Sequence, residues 1–455
     1  PIVFSSPAAP QVVQLVAMLA MGRRSAVALA AAAAAAAAPL VVRPVAGDLA
    51  VVAIGDWGGH NDEEPTTESQ RLTAVGLRRK ALELDASFAM LMGDNFYQHG
   101  ITGDDSSTRF RDTFEAIYAK LLPGRPFYAL AGNHDYGEGL MANVSAQVAY
   151  SKRSEQWRFP SLWYKIQRDF EASGQVRSLD VLVLDTVVLC GNGEQNEDFI
   201  NEELRFLGDT YLNASDDHGL NRRQAAAEAQ WAWLEEELAA SSADYLWVSG
   251  HYPIWSAGND GSQQCLIDRL RPMLVRHGAH YISGHDHMLE HFVYEGLNTF
   301  VVGAGKECCY PAVNVDTTPP NAMRYMLAGD LGAQSRPPAP FPVRGGFASM
   351  VFGAEAVDVA LHAHDGTVLY FAPPIARRSR AHRGAAPAAP AVATFATEQS
   401  EPMPSTTALI VAAGLGAASA LGVAAAVAAA VRAARGRCLQ GGVPTGYTSP
   451  LLLDQ

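Results

Sequence analysis

The chain has 455 residues, long enough for one large domain or two ordinary ones with ample core. Its formal net charge is −13 and no basic stripe crosses its middle, which argues against nucleic-acid binding, since such a surface needs clustered Lys and Arg. Hydrophobic residues make up 48%, much of it alanine gathered at the two ends, so the ends are read apart from the middle.

Residues 1–20 read as an upstream extension. Met21-Gly22-Arg23-Arg24, followed by the apolar stretch 25–42, has the basic start and hydrophobic run of a signal peptide. Small residues at Val45-Ala46-Gly47 suit cleavage, so 1–47 is set apart from the fold. The folded part is expected over 48–378, as an α/β alternation. LAVVAI (49–54) is an apolar strand, 69–85 an amphipathic helix, SFAMLM (87–92) a strand, 107–122 a helix and PFYALA (126–131) a strand. LDVLVLD (179–185) is a strand of buried type, 222–241 a strong helix, 244–250 a strand, 265–278 a helix and 280–284 a strand. Hairpin-like segments, HFVYEG, TFVVGAG and the run from FASMVF to VLYFA, complete it. Layered sheets covered by helices are the natural packing for such a pattern.

Beyond the fold, 379–406 is rich in Ala, Pro, Ser and Thr and reads as an extended stalk. Residues 407–431 carry no charge and are long enough for one C-terminal transmembrane helix, which needs about 20 apolar residues. The Arg-rich start of 432–455 marks that tail as cytoplasmic and the bulk of the chain as lumenal or extracellular. The expected location is therefore the secretory pathway, with Cys438 just past the membrane as a site for palmitoylation. Asn143-Val144-Ser145 and Asn213-Ala214-Ser215 are acceptor sequons for N-glycans.

The apolar strands end in a repeated way. Gly55-Asp56, Gly93-Asp94-Asn95-Phe96-Tyr97, Gly132-Asn133-His134, Gly250-His251 and Gly284-His285-Asp286-His287 each place a metal-ligand residue type directly after a glycine. Ligands of open α/β sheets gather at the carboxyl ends of strands, and glycine lets the backbone turn there. A lone Gly-Asp or Gly-Asn is usually a turn. Five at strand ends point to a metal site.

These motifs resemble the calcineurin-like metallophosphoesterases, and within them the purple acid phosphatases of the small animal type, over about 49–375. Gly93 to Tyr97 separates that branch from its relatives, and ANVSAQVAYSK, VLDTVVLCGN, GHYPIWS, QCLIDRLRPML and GGFASM extend the match. The resemblance implies a layered β-sandwich flanked by helices. It implies that Asp56, Asp94, Tyr97 and His287 hold Fe(III), and that Asp94, Asn133, His251 and His285 hold a divalent ion, Fe(II) or Zn(II), with Asp94 bridging. Hard oxygens suit the trivalent metal, and imidazoles with an amide suit the softer divalent one. The implied reaction is phosphate monoester hydrolysis by in-line attack of a metal-bound hydroxide, with His134 assisting phosphate and leaving group.

The branch usually carries a second His nine residues after His251. Here that position is Asp260, which serves as general acid only with a raised pKa. Cys190 and Cys265 match a family disulfide, Cys308 and Cys309 have no counterpart, and the acidic stretch 191–221 stands where relatives carry a repressive loop. His60 and His99 lie near the metal loops without a role. Two other classes are open: a non-catalytic surface receptor on a phosphatase scaffold, and a di-metal phosphodiesterase, against which Tyr97 argues.

Overall fold

The computed structural model describes residues 47–137, 142–191, 197–207, 222–379 and 381–382. They all fall in the first of two units, 1–391, while the second, 392–455, lies outside the described residues. The signal peptide, most of the stalk, the 407–431 span, the cytoplasmic tail with Cys438, and Asn213 also lie outside them. Among the described residues no helix is long and apolar enough to cross a membrane.

The strands are β1 (Leu49–Ile54), β2 (Phe88–Leu91), β3 (Phe127–Ala129), β4 (Trp157–Arg158), β5 (Tyr164–Ala172), β6 (Gln175–Val183), β7 (Tyr245–Ser249) and β8 (His280–Ser283). They continue as β9 (Leu289–Tyr294), β10 (Leu297–Val302), β11 (Met323–Leu327), β12 (Gly346–Phe352), β13 (Ala356–Ala363), β14 (Val368–Phe371) and β15 (Ile375–Ala376). One sheet runs β14-β13-β12-β1-β2-β3-β4, with β15 on β13; the other runs β11-β9-β10-β8-β7-β6-β5. The central strands β1 to β4 pair in parallel, as do β6, β7, β8 and β10.

Successive side chains on a strand point to opposite faces. On β1, Leu49, Val51 and Ala53 enter the layer between the sheets, where they meet residues such as Val181, Trp247 and Phe300 from the other sheet. Ala50, Val52 and Ile54 face the other way, into the helix layer with Leu77 and Ala81. Both faces are buried, so the strand reads as an unbroken apolar run, as expected of a covered parallel strand. The expected sandwich flanked by helices is thus the observed fold.

Some local expectations change. The helix foreseen over 107–122 is a wide turn at Phe110–Glu115 followed by a 3₁₀ turn at Ala119–Leu121. Tertiary bonds override helix propensity there: Arg109 donates to Gly58 O and Thr113 Oγ1, and Thr113 Oγ1 donates to Pro65 O. Phe110 and Phe114 pack edge-on against Trp157, and Phe114 and Tyr118 against Trp57. The helix foreseen over 265–278 is present and runs without a break to His277, widened at Leu266–Leu270 just ahead of Pro272, which has no N–H to give. Strands β5 and β11 were not foreseen. β5 forms a hairpin with β6 across Ser173-Gly174, both at positive φ (50° and 73°).

Candidate metal centre

The carboxyl ends of β1, β2, β3, β7 and β8, drawn from both sheets, converge at one edge of the sandwich. Backbone bonds lock the ends together: Asp56 N donates to Gly93 O, Gly284 N to His251 O, and Lys306 N to Asp56 O, all at 2.8–3.1 Å. Asp56, Asp94 and His285 have positive φ of 55°, 50° and 76°, a backbone state that non-glycine residues adopt uncommonly. Close approach also requires the glycines. A Cβ on Gly93 would lie 2.5 Å from His251 Nδ1, and one on Gly132 would lie 2.2 Å from Asp94 Oδ1.

Two groups of donor atoms form around Asp94. On one side, the Tyr97 hydroxyl lies 2.7 Å from Asp94 Oδ2, 3.1 Å from Asp56 Oδ1 and 3.0 Å from His287 Nε2. On the other, His251 Nε2 lies 3.4 Å from Asp94 Oδ1 and 2.9 Å from Asn133 Oδ1. The ligand atoms of Asp56, Asp94 and His251 all fall within 4.8 Å of one another. His285 sits at the same edge, its ring 5.0 Å from that of His251 and its backbone N–H donating to Asp56 Oδ2. The structure therefore brings all seven expected ligands together. How they divide between metals is taken up below.

Electrostatics point to a cation. Burial pushes the Asp56 carboxyl well above the usual range, and neighbouring Asp94 adds to this. Burial also acts to raise Asp94, but the imidazoles of His251 and His134 outweigh it and leave Asp94 below the usual range. Burial, then Asp56 and Asp94, raise the Tyr97 phenol. Burial lowers His251 and His287. Two buried carboxyls and a phenol face one point with imidazoles that burial drives toward the neutral form, and charges taken out of water need a partner. The donor set fits a hard trivalent ion beside a softer divalent one.

His134 is held by its backbone N–H to Asp94 Oδ1 at 3.0 Å, and by Nδ1 to Gln98 O at 2.7 Å. Its ring lies 4.4 Å from that of Tyr97, with Nε2 3.9 Å from Asp94 Oδ2, so it borders the centre without being one of the donors. Asp260 is exposed at the rim. Its N–H donates to Asp286 Oδ1 at 3.0 Å, and its charge acts on Asp286 and on the Tyr310 phenol. His60 is also exposed.

Cys190 and Cys265 are bonded, with Cα atoms 5.8 Å apart, as the resemblance implied. Cys308 and Cys309 are joined to each other. Asn143 is half-buried, and its side-chain nitrogen donates to Gly103 O.

Several residues that shape the centre were not singled out in the sequence. Buried Asp135 accepts from the backbone N–H groups of Asn95, Phe96 and Gly132 and from Gln147 Nε2, so it ties the second metal loop to the third. Asp286 anchors the Asp260 loop. Glu307 Oε1 lies 2.6 Å from His287 Nδ1, Lys306 Nζ lies 3.9 Å from the Tyr97 ring centroid, and Tyr310 stacks on His287 at 4.3 Å. Gly303-Ala304-Gly305, a further glycine pair after a strand, was the available signal for that segment.

The sequence profile of calcineurin-like phosphoesterases matches residues 49–289. Tartrate-resistant acid phosphatase type 5 of the rat is 38% identical over 263 residues, covering 57% of this chain and 73% of the rat protein. The human protein of that name is 38% identical over 260 residues, covering 56% and 73%. Purple acid phosphatase 7 of Arabidopsis thaliana is 28% identical over 265 residues, covering 57% and 70%. Among solved structures, the anchor of the inner membrane complex of Plasmodium shares the fold: TM-score 0.56 at 18% identity, covering 74% of this chain and 91% of that one. The chain belongs to the calcineurin-like phosphoesterase family, in the group that holds the tartrate-resistant and purple acid phosphatases.

Proposed function

We propose that this member of the family is an acid phosphatase that hydrolyses phosphate monoesters at a binuclear Fe(III)–M(II) centre, M being Fe(II) or Zn(II). The observation that carries the reading is the division of donors around Asp94, whose two oxygens face different sets. In this reading Asp56, Asp94, Tyr97 and His287 hold the trivalent ion, and Asp94, Asn133, His251 and His285 the divalent one. When bound, the metal pair supplies Lewis acidity toward the phosphoryl oxygens and toward water, for attack in line with the leaving group.

The protein's own groups do the rest. The Nδ1 bond to Gln98 O fixes the His134 ring so that Nε2 faces the centre, where it can hold a phosphate oxygen or hand a proton to the leaving alkoxide. Asp260 at the rim acts there through its charge and, when protonated, as a second proton donor. Its negative charge disfavours polyanionic substrates.

The same proposal places the catalytic domain on the lumenal or extracellular side of a membrane, tethered through 379–406 and 407–431 and carrying glycans at Asn143 and Asn213. The Cys190–Cys265 bond suits such an oxidising compartment.

The test is turnover by metal-loaded full-length protein of an aryl phosphate monoester and of the matching diester, from pH 4 to 8. Faster monoester hydrolysis at acid pH supports the reading. Diester hydrolysis alone, or none by protein holding both metals, overturns it.

A further inference from the structure

The two proposed metals differ in charge, and the imidazoles facing them differ in what stands behind them. His251 turns Nδ1 to a neutral acceptor, the Met92 backbone oxygen, at 2.9 Å. His287 turns Nδ1 to a carboxylate, Glu307 Oε1, at 2.6 Å. In both rings Nε2 is thereby left facing the centre. A carboxylate behind a ligating imidazole fixes its tautomer and makes it a stronger donor, and an anionic acceptor does so more than a carbonyl. The charge behind His287 therefore favours the more highly charged ion on that side.

Glu307 is held by its chain neighbours. Lys306 is tied by its N–H to Asp56 O, and its ammonium lies 3.5 Å from Glu307 Oε1. Tyr310 N donates to His287 O at 3.2 Å, and its ring covers the His287 imidazole. The Glu307 side chain is itself 51% exposed, so it does not support the core.

We propose that Glu307 is a positioning residue that makes the Tyr97 side of the centre prefer the trivalent metal, by presenting a carboxylate to His287 Nδ1. This rests on the binuclear reading above.

The test compares the wild type with Glu307→Ala and Glu307→Gln. It reads the affinity for Fe(III) at the Tyr97 side, the affinity for Zn(II) at the His251 side, and the phenolate-to-Fe(III) absorption band. The expected result is Fe(III) affinity lowered about 10–100-fold in Glu307→Ala, the usual cost of losing such a partner, with Glu307→Gln in between. Zn(II) affinity stays within about twofold of the wild type, and the band moves to longer wavelength because a weaker imidazole leaves the iron more electron-poor. Equal melting temperatures of the metal-free proteins show that the fold is kept. Unchanged Fe(III) affinity and band position in both variants overturn the proposal, and so does equal loss of both metals. A wild type that binds no Fe(III) overturns the binuclear reading and the proposal with it, a failure visible without either variant.

Discussion

Asp94 and Tyr97, three positions apart on one loop, meet at 2.7 Å between Oδ2 and the phenol oxygen, while the other oxygen of Asp94 faces His251 at 3.4 Å. One carboxylate thus borders both donor sets, one oxygen toward Tyr97 and the other toward His251. Asp94→Asn replaces one of those oxygens with an amide that cannot serve as an anionic donor. We expect the variant to lose both metals, at least about 100-fold in affinity, whereas Asn133→Ala should weaken mainly the divalent site. Metal content after dialysis checks this; Asp94→Asn protein that keeps a full pair contradicts the bridging assignment.

Metal loading should be strongly pH-dependent. Without metal, burial raises both Asp56 and Tyr97, so each keeps its proton above its ordinary range. A bound cation must expel those protons, so affinity rises with pH and falls on acidification. Each proton released contributes roughly tenfold in affinity per pH unit, since a tenfold change corresponds to about 1.4 kcal/mol. Calorimetric titration in buffers of different ionisation enthalpy counts the protons, and release of none contradicts the assignment of these two groups.

His134→Ala separates chemistry from assembly. The His134 backbone N–H that bonds Asp94 Oδ1 survives the substitution, so both metals should stay. Turnover should fall about 10²–10⁴-fold, the usual contribution of a general acid or base. Loss of metal in step with activity would instead make His134 a structural support.

The sequence made the donor set legible because glycine-ended strands repeat, and strand ends in open α/β sheets share one edge. Asp56, Asp94, Asn133, His251 and His285 all follow from that one pattern. Glu307 did not, because its place beside His287 depends on the β9–β10 hairpin turning back and on Lys306 pairing with Asp56 O, contacts among residues far apart in the chain. The helix foreseen over 107–122 failed for a related reason: Arg109 and Thr113 bond to distant backbone oxygens in place of a regular helical ladder. β5 was legible and was passed over: Tyr164, Ile166, Phe170 and Ala172 alternate with Lys165, Gln167, Asp169 and Glu171, and Ser173-Gly174 makes the turn that follows.

A buried acid away from the donors gives a stability test. Burial, and then Asp286, raise Glu290 to about 8. Ser256 Oγ and Ala257 N donate to its carboxyl at 2.7 and 3.0 Å. Because the folded-state pKa lies above the unfolded one, burying the neutral acid carries no charge penalty below the ordinary Glu value of 4.5, and stability falls as pH rises from there to about 8. Glu290→Gln keeps an acceptor for Ala257 and removes the ionisation. The metal-free variant should melt close to wild type at pH 4.5, and should be more stable at pH 8 by on the order of 2–4 kcal/mol. An equal difference at both pH values contradicts the role given to burial.

The assignment of Tyr97 as a phenolate ligand of Fe(III) supports every role given to the centre. The visible spectrum of the iron-loaded full-length protein, recorded beside Tyr97→Phe, tests it. The expected result is a violet band in the wild type that is absent from the variant. A colourless wild type that holds its metals, or a band that survives in Tyr97→Phe, contradicts it.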